Sequence, residues 1–172
     1  MGTKTTALVV ESGGAGFEAA EVELDEPRAD EALIRVVAAG VCHTDLGVAS
    51  GAAPFPLPGV LGHEGAGIVE RVGANVHHVR RGDHVLLSFS SCGECAKCRA
   101  GHSSYCDSWL PLNLIGGRRT DGTPTITRSG TPIGGHFFGQ SSFARHAIVD
   151  ARSIVGVPPI SRWRASLRSA VA

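Results

Sequence analysis

Residues 91–107 read SCGECAKCRAGHSSYCD and hold four of the chain's five cysteines, Cys92, Cys95, Cys98 and Cys106. Three of them follow at two-residue gaps, CxxCxxC, and the fourth comes after seven further residues. Two-residue gaps let a tight backbone turn aim successive thiolates at one point, and four such ligands fill a tetrahedral zinc site. A filled site has no open position for water or substrate, so the spacing predicts a structural zinc that ties down the loop. Two disulfides and an iron–sulfur cluster are the alternatives. Disulfides call for an oxidising compartment, and the N-terminus MGTKTTALVV lacks the charged and apolar regions of a secretory signal. Ferredoxin-type clusters also begin CxxCxxC, but continue with a fourth cysteine after three residues and then a proline.

Working outward, 172 residues suffice for one domain with a core of its own. Lys+Arg 16 against Asp+Glu 16 leaves no net charge, which argues against a nucleic-acid or membrane-surface partner. Aromatic content of 5% also speaks against a zinc-ribbon nucleic-acid binder, which needs stacking platforms and a basic stripe. No apolar run approaches the length of a membrane span. Five cysteines without a secretory signal predict a reducing, cytoplasmic setting. The 23 glycines fall between short Val- and Ile-rich runs, which predicts a mainly β chain of many strands joined by tight turns. Strands are expected at residues 5–10, 18–24, 32–41, 65–72, 84–89, 137–150 and 153–157. Residues 47–58 read as loop, 116–135 as a polar connection, and no helical periodicity of any length shows between 1 and 158.

A second constellation lies upstream. Cys42 and His63 each end an apolar run beside a glycine, where side chains can face one cavity. Cys42 is followed by Thr44 and Asp45, and His63 by Glu64. Taken singly, such a cysteine reads as a small buried hydrophobe and such a histidine as a hydrogen-bonded core residue.

Taken in order, GVCHTD at 40–45, PLPGVLGHEGAGIVERVG at 56–73, RRGDHV at 80–85 and CGECAKCRAGHSSYC at 92–106 say more. They resemble the N-terminal catalytic domain of zinc-dependent alcohol dehydrogenases of the medium-chain dehydrogenase/reductase superfamily, over residues 6–157. The segment GGHFFGQSSFARHAIVD at 134–150 looks most like the aryl- or benzyl-alcohol branch. The resemblance implies a GroES-like, partly open β-barrel, followed in the family by a Rossmann domain that binds NAD or NADP. It implies a small-molecule alcohol or aldehyde as substrate, and a homo-oligomer as a possible state of the full-length family. By position, Cys42 matches the first catalytic-zinc ligand, His63 the second, and Thr44 the hydroxyl that takes the alcohol proton. Glu64 sits where the family has an acid behind the zinc, and Asp45 where a carboxylate orients the ligand histidine. His43 matches a position near the cofactor pyrophosphate. The implied chemistry is Lewis-acid activation of the alcohol and hydride transfer to nicotinamide.

Two departures qualify this. Some relatives carry a histidine five residues after the first ligand, and here that residue is Gly47, so protons would leave through His43 or water. The family's third catalytic ligand and its glycine-rich dinucleotide fingerprint lie beyond residue 157, which leaves the catalytic zinc site incomplete, with Glu64 as a makeshift third ligand. The expected division is therefore a catalytic domain at 1–158 and an aberrant or disordered basic tail at 159–172. That tail holds Arg162, Arg164 and Arg168 in a chain of 14 Arg and 2 Lys, with no acid after Asp150. It reads as out-of-frame translation of a GC-rich gene that truncates the dehydrogenase; a genuine basic amphipathic tail is the alternative. Two functional readings remain: an alcohol dehydrogenase present as its catalytic domain, or a zinc-bound β-domain without catalysis of its own.

Overall fold

Alternation places the first strands. In β1 (Thr3–Val10) and β2 (Glu18–Leu24) apolar side chains such as Ala7, Val9, Val22 and Leu24 face inward, while Glu21 and Glu23 face solvent. The long β-branched run forms β3 (Glu31–Gly40), then come the helix α1 (His43–Ala49), the short β4 (Gly59–Val60), β5 (Glu64–Val72) and β6 (His84–Leu87). After the cysteine-rich lobe with its one-turn helix α2 (Ala96–Arg99) follow β7 (Ile126–Arg128), β8 (Thr131–Ile133), β9 (His146–Asp150) and β10 (Ile154–Val157). This computed structural model describes residues 2–158; the basic tail expected at 159–172 lies outside them.

The strands make two five-stranded antiparallel sheets, ordered β4-β1-β2-β7-β8 and β10-β6-β5-β3-β9. They are joined at one corner by residues 143–145. Leu8 N–H donates to Phe143 O at 2.7 Å, Arg145 N–H to Thr6 O at 2.9 Å, and Val36 N–H to Arg145 O at 2.9 Å. The chain thus passes from one sheet to the other and curls them into the expected partly open barrel. Its interior is filled from both sides by clusters around Val9, Leu24 and Ile148, and around Ile34, Val69 and Val85. A third cluster, around Val48, Leu61 and Phe137, packs under α1.

Three expectations need correction. Residues 43–49, read as a strand end and loop, form α1; seven residues with a glycine among them are too few to show a 3.6-residue period. The strand expected over 137–150 begins only at His146, because Phe138, Gly139 and Ser141 take positive φ of 49°, 71° and 47°, which no strand accommodates. The polar connection 116–135 contains the hairpin β7–β8, turned by Ser129 and Gly130 with φ of 50° and 77°, the two-residue geometry that suits strand twist. That connection is anchored by Arg119, whose guanidinium grips Glu31 at the start of β3 at 2.7 and 2.9 Å and Asp25 at 2.7 Å.

Candidate metal centres

Helix α1 exists because of its first turn. Asp45, fully buried, accepts the Cys42 N–H on Oδ2 at 2.9 Å, which closes the helix start, and the Gly62 N–H on Oδ1 at 2.9 Å. The same Oδ1 lies 3.3 Å from His63 Nδ1. An ionised carboxylate only accepts, so this contact places the ring proton on Nδ1 and leaves Nε2 as the free lone pair. One side chain therefore fixes the Cys42 backbone, the Gly62 backbone and the His63 ring. Gly62 reaches this arrangement at φ of 91°, and a Cβ there would come within 2.5 Å of Phe143.

Cys42 Sγ, a ring nitrogen of His63 and a carboxylate oxygen of Glu64 lie within 4.8 Å of one another. The Thr44 backbone N–H, then its hydroxyl, then the His63 ring hold the Cys42 thiol below its ordinary pKa, more strongly than partial burial raises it. Thr44 Oγ1 is 3.7 Å from Cys42 Sγ. Burial pulls His63 down, but Asp45 and the Cys42 thiolate more than reverse this and raise it. Glu64 Oε2 is buried with no hydrogen-bond partner, and Gly40 leaves it room, since a Cβ there would sit 2.1 Å away. An orphaned buried carboxylate oxygen beside a thiolate and an imidazole lone pair fits a divalent cation of zinc's class. His43 stands exposed in the first turn of α1 and is not drawn into this group.

Aromatic rings form the wall of the site. Phe138 stacks on His63 with centroids 4.5 Å apart and planes 25° from parallel, and Phe137 meets the same ring edge-on at 5.5 Å. Trp109 meets Phe138 edge-on at 5.6 Å. A phenylalanine at positive φ is an uncommon, strained placement, and here it puts the ring over the candidate ligand.

The four cysteines of the lobe also converge, with all sulfurs within 4.8 Å of one another and Cys92 Sγ 3.9 Å from Cys98 Sγ. That spacing is close to the roughly 3.8 Å edge of a tetrahedron with 2.3 Å zinc–sulfur bonds. It is nearly twice the about 2.05 Å of a disulfide. Backbone N–H groups of Cys92, Cys95 and Cys98 point at the sulfurs of Cys106, Cys92 and Cys95 at 3.3, 3.4 and 3.5 Å. Donors aimed this way favour thiolates: the N–H groups of Asp107 and Cys98 lower Cys95, and those of Cys92 and Ser108 lower Cys106 despite its burial. Cys98, squeezed by burial and by the neighbouring sulfurs, is pushed up to about 11. Four cysteine sulfurs this close make a donor set that fits zinc, which would hold all four as thiolates.

Two further residues support these centres, and no pattern in the sequence marks either. Buried Asn113 accepts the Ser90 N–H at 2.8 Å and donates to Ser90 O at 2.9 Å and Trp109 O at 2.7 Å, which closes the stem of the lobe. Buried Gln140 joins His63, Gly65 and Ser88.

Known proteins resemble this chain in sequence and in fold. The chain is 48% identical over 151 residues to the geraniol dehydrogenase of Castellaniella defragrans, covering 88% of this chain and 40% of that protein. The crystal structure of an alcohol dehydrogenase zinc-binding domain protein from Burkholderia ambifaria superposes with a TM-score of 0.89 at 46% identity, over 92% of this chain and 43% of that one. Benzyl alcohol dehydrogenase from Acinetobacter calcoaceticus does so with a TM-score of 0.85 at 40% identity, over 91% and 42%. The chain thus spans about 40% of the length of the curated relatives it matches. The family described as the alcohol dehydrogenase GroES-like domain matches residues 28–159, and the chain belongs to that family.

Proposed function

We propose that this chain is the alcohol-activating part of a zinc-dependent oxidoreductase that converts a primary alcohol, by preference an aromatic one, to its aldehyde with NAD or NADP as hydride acceptor. The observation that carries the reading is the meeting of Cys42, His63 and the orphaned Glu64 carboxylate within 4.8 Å, beside the Thr44 hydroxyl. Zinc at these donors would supply the Lewis acidity that lowers an alcohol's pKa, and a nicotinamide held outside the described residues would take the hydride. The chain's own residues do the rest. Asp45 holds the His63 ring in one tautomer and one orientation. Thr44 is placed to receive the alcohol proton and pass it to water or to His43 at the surface. Phe138 and Trp109, backed by the buried Phe137, exclude water and offer faces against which a substrate ring can pack, a contact worth about 0.5 to 1.5 kcal/mol beyond its buried area. In the same reading Cys92, Cys95, Cys98 and Cys106 hold a structural zinc that takes no part in the chemistry.

A chimera tests this: residues 1–157 of this chain followed by the remainder of the Burkholderia ambifaria protein. It should form NADH or NADPH with benzyl alcohol, lose that activity on Cys42→Ala or His63→Ala, and show a lower kcat/KM for ethanol. Absence of alcohol oxidation by a folded chimera would refute the reading, and a preference for ethanol would refute its aromatic part. The 172-residue chain alone should hold one zinc through chelator dialysis, bind a second far more weakly, and form no NADH. Turnover by the chain alone would mean that residues 1–172 already provide a nicotinamide site.

A further inference from the structure

Residues 140–143 run beside residues 60–65 and fasten them one by one. Ser141 Oγ donates to Val60 O at 2.6 Å, Phe143 N–H to Leu61 O at 2.9 Å, and Ser142 N–H to Gly62 O at 2.9 Å. At Gln140 the main chain turns away, with Gly139 and Ser141 on either side at positive φ. Its side chain takes over the pairing. Gln140, 1% exposed, accepts the Gly65 N–H on Oε1 at 3.0 Å and donates from Nε2 to His63 O at 2.9 Å and to Ser88 O at 3.2 Å. Donating to one residue's carbonyl and accepting from the N–H two residues further on is what a neighbouring residue does in a parallel ladder. The carboxamide therefore stands in for a missing strand residue and brackets Glu64. It also ties this backbone to Ser88, the strand end from which the cysteine lobe departs.

We propose that Gln140 is the positioning residue of the Cys42–His63–Glu64 centre: by clamping the peptides on both sides of Glu64, it sets the directions in which the His63 ring and the Glu64 carboxylate leave the chain. This rests on the metal reading of that centre given above. Gln140 touches neither alcohol nor metal. A primary amide carries a donor and an acceptor side by side, as the N–H and C=O of one strand residue do, so its replacements separate cleanly. Gln140→Glu keeps the shape and the acceptor for Gly65 but sets an oxygen against two carbonyls. Gln140→Leu keeps the bulk and removes all three hydrogen bonds.

Cadmium NMR separates an all-thiolate site from a mixed sulfur, nitrogen and oxygen site by chemical shift, and amide exchange reads the clamp in the metal-free chain. With the 172-residue chain, both Gln140 variants should bind cadmium at the mixed centre about tenfold or more weakly, the range for residues that orient metal ligands. The all-thiolate resonance should stay unchanged. In the metal-free chain, Gly65 N–H should exchange faster in Gln140→Leu while Ile68 N–H of the same strand keeps its rate. Val69→Ala, a buried change in β5 with no contact to Gln140, controls for general loss of stability and should leave cadmium affinity intact. Unchanged cadmium affinity in Gln140→Leu, or an equal loss in Val69→Ala, would overturn the proposal. A wild-type chain with no mixed-site resonance even at a large excess of cadmium, yet with faster Gly65 exchange in Gln140→Leu, would show a clamp without a metal centre, and would refute the metal reading and this proposal with it.

Discussion

The five cysteines fall into two classes that substitution should separate. Cys95→Ala leaves three thiolates in the lobe and releases the chain between Cys92 and Cys106, so metal-coupled folding energy is lost; a cost of about 4 kcal/mol or more is expected. Cys42→Ala removes one half-buried thiol near Thr44 and should cost about 1 kcal/mol. Urea titrations of the two variants check this, and equal costs would undo the assignment. His136 carries a pH dependence. Burial, helped by Arg119, lowers its pKa against the opposing pull of Glu31 and Asp150, and its Nδ1 is buried without a partner. A histidine that is harder to protonate when folded lets the unfolded chain bind the extra proton once pH falls below about 6.5. Its contribution is therefore complete above that pH and is lost as pH falls from there through its lowered folded value. His63, raised by Asp45, has the opposite sign: its contribution is present at low pH and is lost as pH rises through its folded value. The difference between wild type and His136→Gln isolates the first effect. The variant's urea midpoint should change less between pH 7.5 and 5.5 than the wild type's, and parallel curves would exclude the buried imidazole as the cause.

The elements differ in how plainly the sequence announced them. Strands β1, β2, β3 and β5 were legible because each buries one face or both, and that writes alternation or a continuous β-branched run into the chain. The lobe was legible because its ligands are local and their gaps carry the geometry. What stayed hidden is held by contacts across long stretches of chain. Helix α1 depends on Asp45 reaching Gly62, and the turn at 137–143 depends on three positive φ values at Phe138, Gly139 and Ser141, of which only the glycine advertises itself. Asn113 and Gln140 look like ordinary polar residues until the backbones they join are brought beside them. At this scale Asn113→Ala is decisive. It strips three hydrogen bonds from buried Ser90 and part-buried Trp109, which should cost about 3 kcal/mol and lower Tm by about 6 to 12 °C. Calorimetry gives the shift. The Trp109 emission of a Trp163→Phe background should change as well, and an unaltered spectrum would mean that the stem holds without its amide.

Across the whole molecule the stem 88–90 is tied to the regions of both centres, through Ser88 to Gln140 and through Ser90 to Asn113, and an apolar groove of about 520 Å3 opens between β1 and β3. Leu8, Val37 and Val41 line it at 41%, 43% and 66% exposure. No helix among the described residues is long and apolar enough to cross a membrane. The clamp on His63 has a further consequence, in the order of events as the chain is made. Lobe residues Cys92 and Cys106 meet across 14 positions, whereas Gln140 reaches His63 across 77. Short loops close early and at low entropic cost, and a ribosome adds on the order of 5 to 20 residues per second. The four thiols of the lobe are thus all made, and able to close on a metal, while residues 138–143 are still being added. In the proposed two-metal reading, the lobe would then have first claim on scarce metal during synthesis, and the His63 centre would receive what is left.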